Sequence, residues 1–167
     1  MKILHVIARL NAGGTARYIS MLDSGLIREG FESIVATGYV QGAEIEDPSV
    51  DKIRIIRIPN LGRAISPIKD FRAMKELRKV IEIEAPDVIH SHTFKAGLIV
   101  RIQKAQINKS AKKEIKFVHT FHGHLLDDPE FSGFKSKLIV AIERLLARKT
   151  EKIITRSEEH TSELQSH

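Results

Sequence analysis

Met1-Lys2-Ile3-Leu4-His5-Val6-Ile7-Ala8-Arg9, followed by the turn Gly13-Gly14-Thr15, decides the fold of this chain. Lys2 to Ala8 is a near-continuous apolar run, the pattern of a strand covered on both faces. His5 interrupts it and Arg9 stops it, so it is too short for a secretory apolar segment. Beyond the diglycine, Ile19, Leu22, Leu26 and Ile27 recur at helical spacing between Ala16 and Glu29. Gly30 stands where a helix-ending glycine belongs. The opening unit is therefore strand, glycine turn, helix.

The same alternation continues. Strands are predicted over Ser33–Thr37, Ile53–Ile58, Asp87–Ser91, Ile115–Thr120 and Lys152–Thr155, with Gly38–Asp51 as loop. Pro67 suits the first position of a helix capped by Ser66 and stopped at Pro86. Thr93 is the expected cap of a helix reaching Gln106, and Ser132–Lys149 reads as a long amphipathic helix. Alternating strands and helices imply an α/β fold of three layers with a mainly parallel sheet, as one domain over 1–155. Ligands of such sheets bind beyond the carboxyl ends of the strands. Arg9–Arg17, His90–Lys95 and His119–Asp128 should then border one crevice.

Composition narrows the function. The 167 residues are 42% hydrophobic and 29% charged, which suits a core-forming chain. There is no cysteine, so no disulfide, thiolate metal site or thiol nucleophile exists, and a reducing cytoplasm fits. No apolar stretch approaches the roughly 20 residues of a membrane span. The net charge of +6 favours phosphate-bearing ligands or anionic surfaces. Few aromatics and no tryptophan argue against a base-stacking module, so no nucleic-acid partner is expected.

The last twelve residues, Arg156 to His167, have no apolar periodicity and resemble the in-frame translation of a DNA-sequencing adapter. They are expected to be a non-native tail that packs against nothing.

The chemistry-bearing residues gather at the predicted strand ends. Gly13 and Gly14 let backbone approach a ligand, and the helix behind them offers free N–H groups to a phosphate. Thr15 is expected to cap that helix, and Arg17 adds charge. The dinucleotide fingerprint is missing, and Gly38-Tyr39 stand where an acidic residue would follow the second strand, so a nicotinamide enzyme is disfavoured. His90, His92, His119, His122 and His124 all lie at or just after strands. His5 and His90 read as core residues, whereas His122 and His124 beside Gly123 read as site residues. No carboxylate or thiolate accompanies them at ligand spacing, so no metal is assigned. Basic residues flank the helices after Pro67 and Ser132, the latter around Phe134, Leu138, Ile142, Leu145 and Leu146. That pattern suits an anionic membrane surface, although Asp70, Glu76, Glu82 and Glu143 dilute it towards an ordinary outer helix.

Together, Met1–Ile7 leading to Gly13-Gly14-Thr15-Ala16, then Ile58-Pro59, Pro86-Asp87-Val88-Ile89-His90-Ser91-His92 and His119-Thr120-Phe121-His122-Gly123-His124 resemble the N-terminal half of a family-4 glycosyltransferase. The resemblance covers residues 1 to about 155. It implies a Rossmann-like domain, one of two facing domains of a retaining GT-B enzyme without a cofactor. The implied donor is a nucleotide-diphosphate sugar and the implied acceptor a polysaccharide or glycolipid; a cytoplasmic location, with peripheral contact at the inner face of the membrane, is expected from the basic helices. It implies that His122 reaches the reacting sugar, that Gly13 and Gly14 border the donor diphosphate and acceptor, and that His92 lines the site. Thr15, Arg17, Lys95, Gly123 and His124 are expected beside them. Many relatives carry an acidic residue soon after the diglycine, where this chain has Thr15, Ala16 and Arg17. The donor-binding half is expected to lie outside this chain, which alone would be inactive. Two other readings stand beside this one: a self-sufficient Rossmann-type module for another phosphorylated ligand, and an interaction domain without chemistry.

Overall fold

A computed structural model describes residues 1–111, 113–122 and 134–155. Six strands form one sheet in the order β3-β2-β1-β4-β5-β6, every pair parallel. The strands are β1 (Lys2–Ile7), β2 (Glu32–Thr37), β3 (Ile55–Arg57), β4 (Val88–His92), β5 (Lys116–Phe121) and β6 (Lys152–Thr155). The helices are α1 (Gly14–Arg28), α2 (Pro67–Glu84), α3 (Thr93–Ile102), α4 (Lys104–Ser110) and α5 (Phe134–Ala147). The three-layer α/β expectation holds, and the sheet is wholly parallel.

From β1 the chain moves to β2 on one side, and from β4 to β5 on the other. Right-handed crossovers therefore send α1 and α3 to opposite faces. The large apolar cluster lies on the α3 face: Leu4, Val6, Ile34, Ile89 and Phe117 pack under Leu77 and Ile81 of α2, Ile99 and Val100 of α3 and Ile107 of α4. A smaller cluster beneath α1 joins Ile7, Leu10, Ile19, Val35 and Val50. The reversal of direction falls between β1 and β4, where open α/β sheets form their crevice.

Local details depart from the sequence reading. Gly30 ends α1 as expected, with φ +79°. The helix after β4 is broken at Gln103 into α3 and α4, and Gln103 turns its side-chain amide back onto the Ile99 carbonyl at 2.8 Å. Its competing side-chain bond offers the backbone an exit from the helix. α5 buries Ile139 and Leu146, whereas Leu138 and Leu145, expected on its packed side, are exposed. Among the described residues no helix is long and apolar enough to cross a membrane. The tail expectation for Arg156–His167 lies outside the described residues.

Candidate active site at the carboxyl ends of β1, β4 and β5

Register brings four histidines together. Parallel pairing sets His5 of β1 beside His90 of β4, and His92 beside Thr120 of β5. Residues two apart share a face of a strand, so His90 and His92 lie on the same side as His5. Tyr18 identifies that side as the α1 face: its ring meets His122 edge-on at 5.0 Å between centroids and His92 at 6.3 Å. His5 Nδ1 lies 3.0 Å from His92 Nε2, and His92 Nδ1 lies 2.9 Å from His122 Nε2. His90 Nε2 lies 2.7 Å from the Thr120 hydroxyl, and the His90 and His92 rings are 4.1 Å apart.

Burial fixes the charge of this cluster. His5 and His92 are fully buried and His90 nearly so. Removal from water holds His5 down to about 3, with a smaller push from His90. Burial also takes His90 down to about 4, helped by His122. His92 lies well below the ordinary histidine range, first through burial and then through His90, His5, His122 and His119. At neutral pH the three rings are uncharged hydrogen-bonding groups. His5, His90 and His92 each offer one ring nitrogen within 4.8 Å of the others, the kind of neutral donor set a metal ion can take.

The glycine turn forms the neighbouring wall. Gly13 has φ +153°, a conformation that suits glycine, and it serves as the N-cap of α1. Thr15 was expected to be that cap; the helix instead starts two residues earlier than expected, at Gly14, and Thr15 lies within its first turn. The N–H groups of Gly14, Thr15 and Ala16 precede the first helical hydrogen bond, made by Arg17 to the Gly13 carbonyl. Gly13 N–H donates to Asp47 Oδ2 at 3.1 Å, and Asp47 Oδ1 accepts from Ser49 N–H at 3.0 Å. Those bonds, Ser49's foremost, hold the Asp47 carboxyl below its usual range, with Arg17 3.6 Å away adding to the effect. Segment 44–47 is strapped along 9–13 by Ala12 N–H to the Ile45 carbonyl and Asp47 N–H to the Leu10 carbonyl. An Arg9–Glu44 ion pair at 2.7 Å reinforces it.

Other expected site residues fall differently. Arg17 is largely exposed at the rim, its side chain 74% accessible. Lys95 is buried, and its ammonium is engaged by Asp70 at 2.6 Å and by the Ala64 carbonyl at 2.9 Å, tying α3 to α2. Thr93 was expected as a cap; His92 takes that place, and Thr93 opens α3 at φ +65°, a strained conformation for a β-branched residue. Gly123 and His124 lie outside the described residues. His119 points to the α3 face, where Ser91 Oγ meets its Nδ1 at 2.9 Å. Sequence reasoning missed Tyr18 and Asp47. It also read His5 and His90 as core residues: their burial agrees, but they join the histidine cluster. Asp47-Pro48-Ser49, a capped-turn signature, was the available signal for Asp47.

The wholly parallel α/β sheet thus carries the Gly13-Gly14 turn and four linked or stacked imidazoles at and near the carboxyl ends of β1, β4 and β5. Residues 13–167 match the family described as glycosyl transferase 4-like domain, and the chain belongs to that family. It is 31% identical over 85 residues to a UDP-Gal:alpha-D-GlcNAc-diphosphoundecaprenol alpha-1,3-galactosyltransferase of Escherichia coli, a stretch covering 51% of this chain and 21% of that protein. It is 30% identical over 159 residues to an uncharacterized 41.2 kDa protein in the cps region of Klebsiella pneumoniae, covering 94% of this chain and 40% of that one. The chain thus spans between a fifth and two fifths of the lengths of these relatives. Among solved structures, sucrose-phosphate synthase of Thermosynechococcus elongatus superposes with TM-score 0.62 at 16% identity, over 98% of this chain and 44% of that one. The domain has the fold of GT-B glycosyltransferases.

Proposed function

We propose that this domain is the acceptor-side half of a retaining glycosyltransferase, which moves a sugar from a nucleotide-diphosphate donor to a glycan or glycolipid acceptor. The observation that carries the reading is the position of His122: it leaves β5 beside His92 and against Tyr18, one turn beyond Gly14 on α1. The ring and the free N–H groups of the α1 start thereby border one crevice. In the proposed role His122 meets a hydroxyl of the reacting sugar, and the Gly13-Gly14 backbone lies against the donor diphosphate and acceptor. Arg17 adds positive charge at the rim. Lys95 holds the wall rather than the ligand, since its charge is already paired with Asp70. The named E. coli relative acts on a sugar linked through diphosphate to a lipid, which supports a glycolipid acceptor here. Exposed Ile65, Ile68 and Phe71 at the start of α2, with Lys75 over the Phe71 ring, support a peripheral contact with an anionic membrane on the cytoplasmic side.

Transfer breaks the bond between the anomeric carbon and the diphosphate oxygen, so negative charge grows on the leaving group. Loss of one electrostatic stabiliser commonly costs about 10²–10³ in rate. In this proposal the cationic groups for the diphosphate come from a second domain, and this chain alone gives no turnover. The test incubates the 167-residue chain with a panel of nucleotide sugars and lipid-diphosphate saccharides, following product and the resonances of His122 and Gly14. Acceptor saccharides should move both resonances without product. Turnover by the chain alone would overturn the two-domain reading. Shifts with simple phosphates but not with saccharides would favour a self-sufficient phosphate-binding module.

A further inference from the structure

Arg57 ends the edge strand β3, away from the glycine turn, yet its contacts lead to that turn. Its guanidinium holds the Glu46 carboxylate as a fork, with Nη1 to Oε1 and Nη2 to Oε2 both at 2.7 Å. Nη1 also donates to the Gly38 carbonyl at 3.0 Å, and the Tyr39 ring centre lies 5.1 Å from Cζ. The group is therefore fixed at the carboxyl ends of β2 and β3. Two charge-assisted bonds in one plane give strength and a set orientation, which a lysine at the same place would not reproduce.

Glu46 sits in the middle of the segment that carries the turn. It forms an antiparallel bridge with Asn11. On either side of it, the Ile45 carbonyl accepts from Ala12 N–H at 2.8 Å and Asp47 N–H donates to the Leu10 carbonyl at 3.0 Å. Asp47 Oδ2 then accepts from Gly13 N–H, and the Gly13 carbonyl accepts from Arg17 N–H. Gly13 is thus pinned at its N–H by this segment and at its carbonyl by α1. A glycine has no side chain to restrict its backbone, so the φ of +153° must be held from outside. The Arg9–Glu44 pair joins the segment to the same loop, whereas Arg57 joins it to the sheet. We infer that Arg57 is a positioning residue: through Glu46 it sets segment 44–47 against 9–13 and so fixes the Gly13-Gly14 wall of the crevice. That this wall meets a saccharide rests on the function proposed above; the positioning does not.

Amide hydrogen exchange in the 167-residue chain reads the positioning without a ligand. Arg57→Lys keeps the positive charge and loses the fork. Exchange at the Ala12 and Gly13 amides should then quicken about tenfold, the worth of one charge-assisted bond. Leu4 and Ile34, fully buried at the centre of the sheet, should keep their rates. Glu46→Gln removes the charge from the other partner and should act in the same direction, so either variant decides if the other fails to fold. A residue that serves only general stability would speed Leu4 and Ile34 as well. Equal acceleration at all four amides, or Ala12 and Gly13 amides unmoved in the folded variants, would overturn the inference. A second measurement titrates wild type and Arg57→Lys with octyl-diphosphate-linked N-acetylglucosamine and follows the Gly14 resonance. Arg57→Lys should bind this probe severalfold more weakly. Equal binding despite faster exchange would overturn the role at the ligand. If the wild-type chain does not respond to the probe but the exchange rates change as stated, the reading of function fails and the positioning by Arg57 stands.

Discussion

The two faces of the sheet are made from alternate residues of the same strands. On β1, Leu4 and Val6 enter the apolar cluster below α2, α3 and α4, while His5 between them faces α1. On β4, Ile89 does the first and His90 and His92 the second. Both faces are buried at these positions. They differ in how burial is made tolerable. The α3 side gains from removing apolar surface, at about 25 cal/mol per Å². The α1 side links polar rings to one another and to Thr120, and burial keeps them uncharged. A strand covered on both faces need not be apolar on both, provided its polar side has partners.

Acid should separate the faces most sharply. On the α1 face, His5 and His90 sit near 3 and 4 when folded, against an ordinary value near 6.5. For a base held down in the folded state, the unfolded chain binds more protons below pH 6.5. Stability is full above that pH and falls as pH drops towards 4 and 3. Each ring removes about 1 kcal/mol per pH unit, so a few units exhaust the ~5–15 kcal/mol of an ordinary domain. Urea unfolding between pH 7.5 and 4.5 should show this decline, and His5→Leu should make it shallower. A flat profile would mean that the rings are not buried as neutral groups.

On the other side, Phe117→Ala should cost about 3–5 kcal/mol by urea unfolding at pH 7, because this fully buried ring fills the α3-side cluster. A cost near that of a surface substitution would dissolve the contrast between the faces. Gly97→Ala probes how closely α3 lies on β5. The added Cβ would stand 2.4 Å from His119 Cε1 and 2.7 Å from Arg101 Nη2. His119 is held by Ser91, and Arg101 by Glu143 and the Gly97 carbonyl, so neither yields readily. Overpacking of about 1–3 kcal/mol should outweigh a helix-propensity gain of about 1 kcal/mol, giving a net loss in thermal stability. Smallest of all, Arg17→Ala should move stability by no more than about 0.5 kcal/mol in the same measurement, since the Arg17 side chain is largely exposed and Asp47 keeps its hydrogen bonds from Gly13 and Ser49.

Much of this was legible in the chain. Apolar runs and helical spacing located all six strands within a few residues, because buried parallel strands carry a strong local signal. The diglycine turn and the histidine-rich strand ends were visible for the same reason. Membership of the histidine cluster was not. His5 meets His92 across 87 positions only because β1 lies next to β4, and strand order is set by packing rather than by any local pattern. Asp47 was hidden similarly: its turn chemistry was readable, but its grip on Gly13 depends on segment 44–47 folding back along 9–13. The strain at Thr93 contradicts local preference, so no propensity argument could have placed it.

The neutral floor of the crevice also bears on salt. Charges near the surface are screened over about 8 Å at physiological ionic strength, whereas hydrogen bonds from uncharged rings are not. Whatever His122 and its buried partners contribute should persist from dilute buffer to concentrated salt. The attraction supplied by Arg17 at the rim, where its side chain is 74% accessible, should fade. Ionic strength thus distinguishes the two components of recognition: capture at the mouth is screened, and discrimination at the floor is retained.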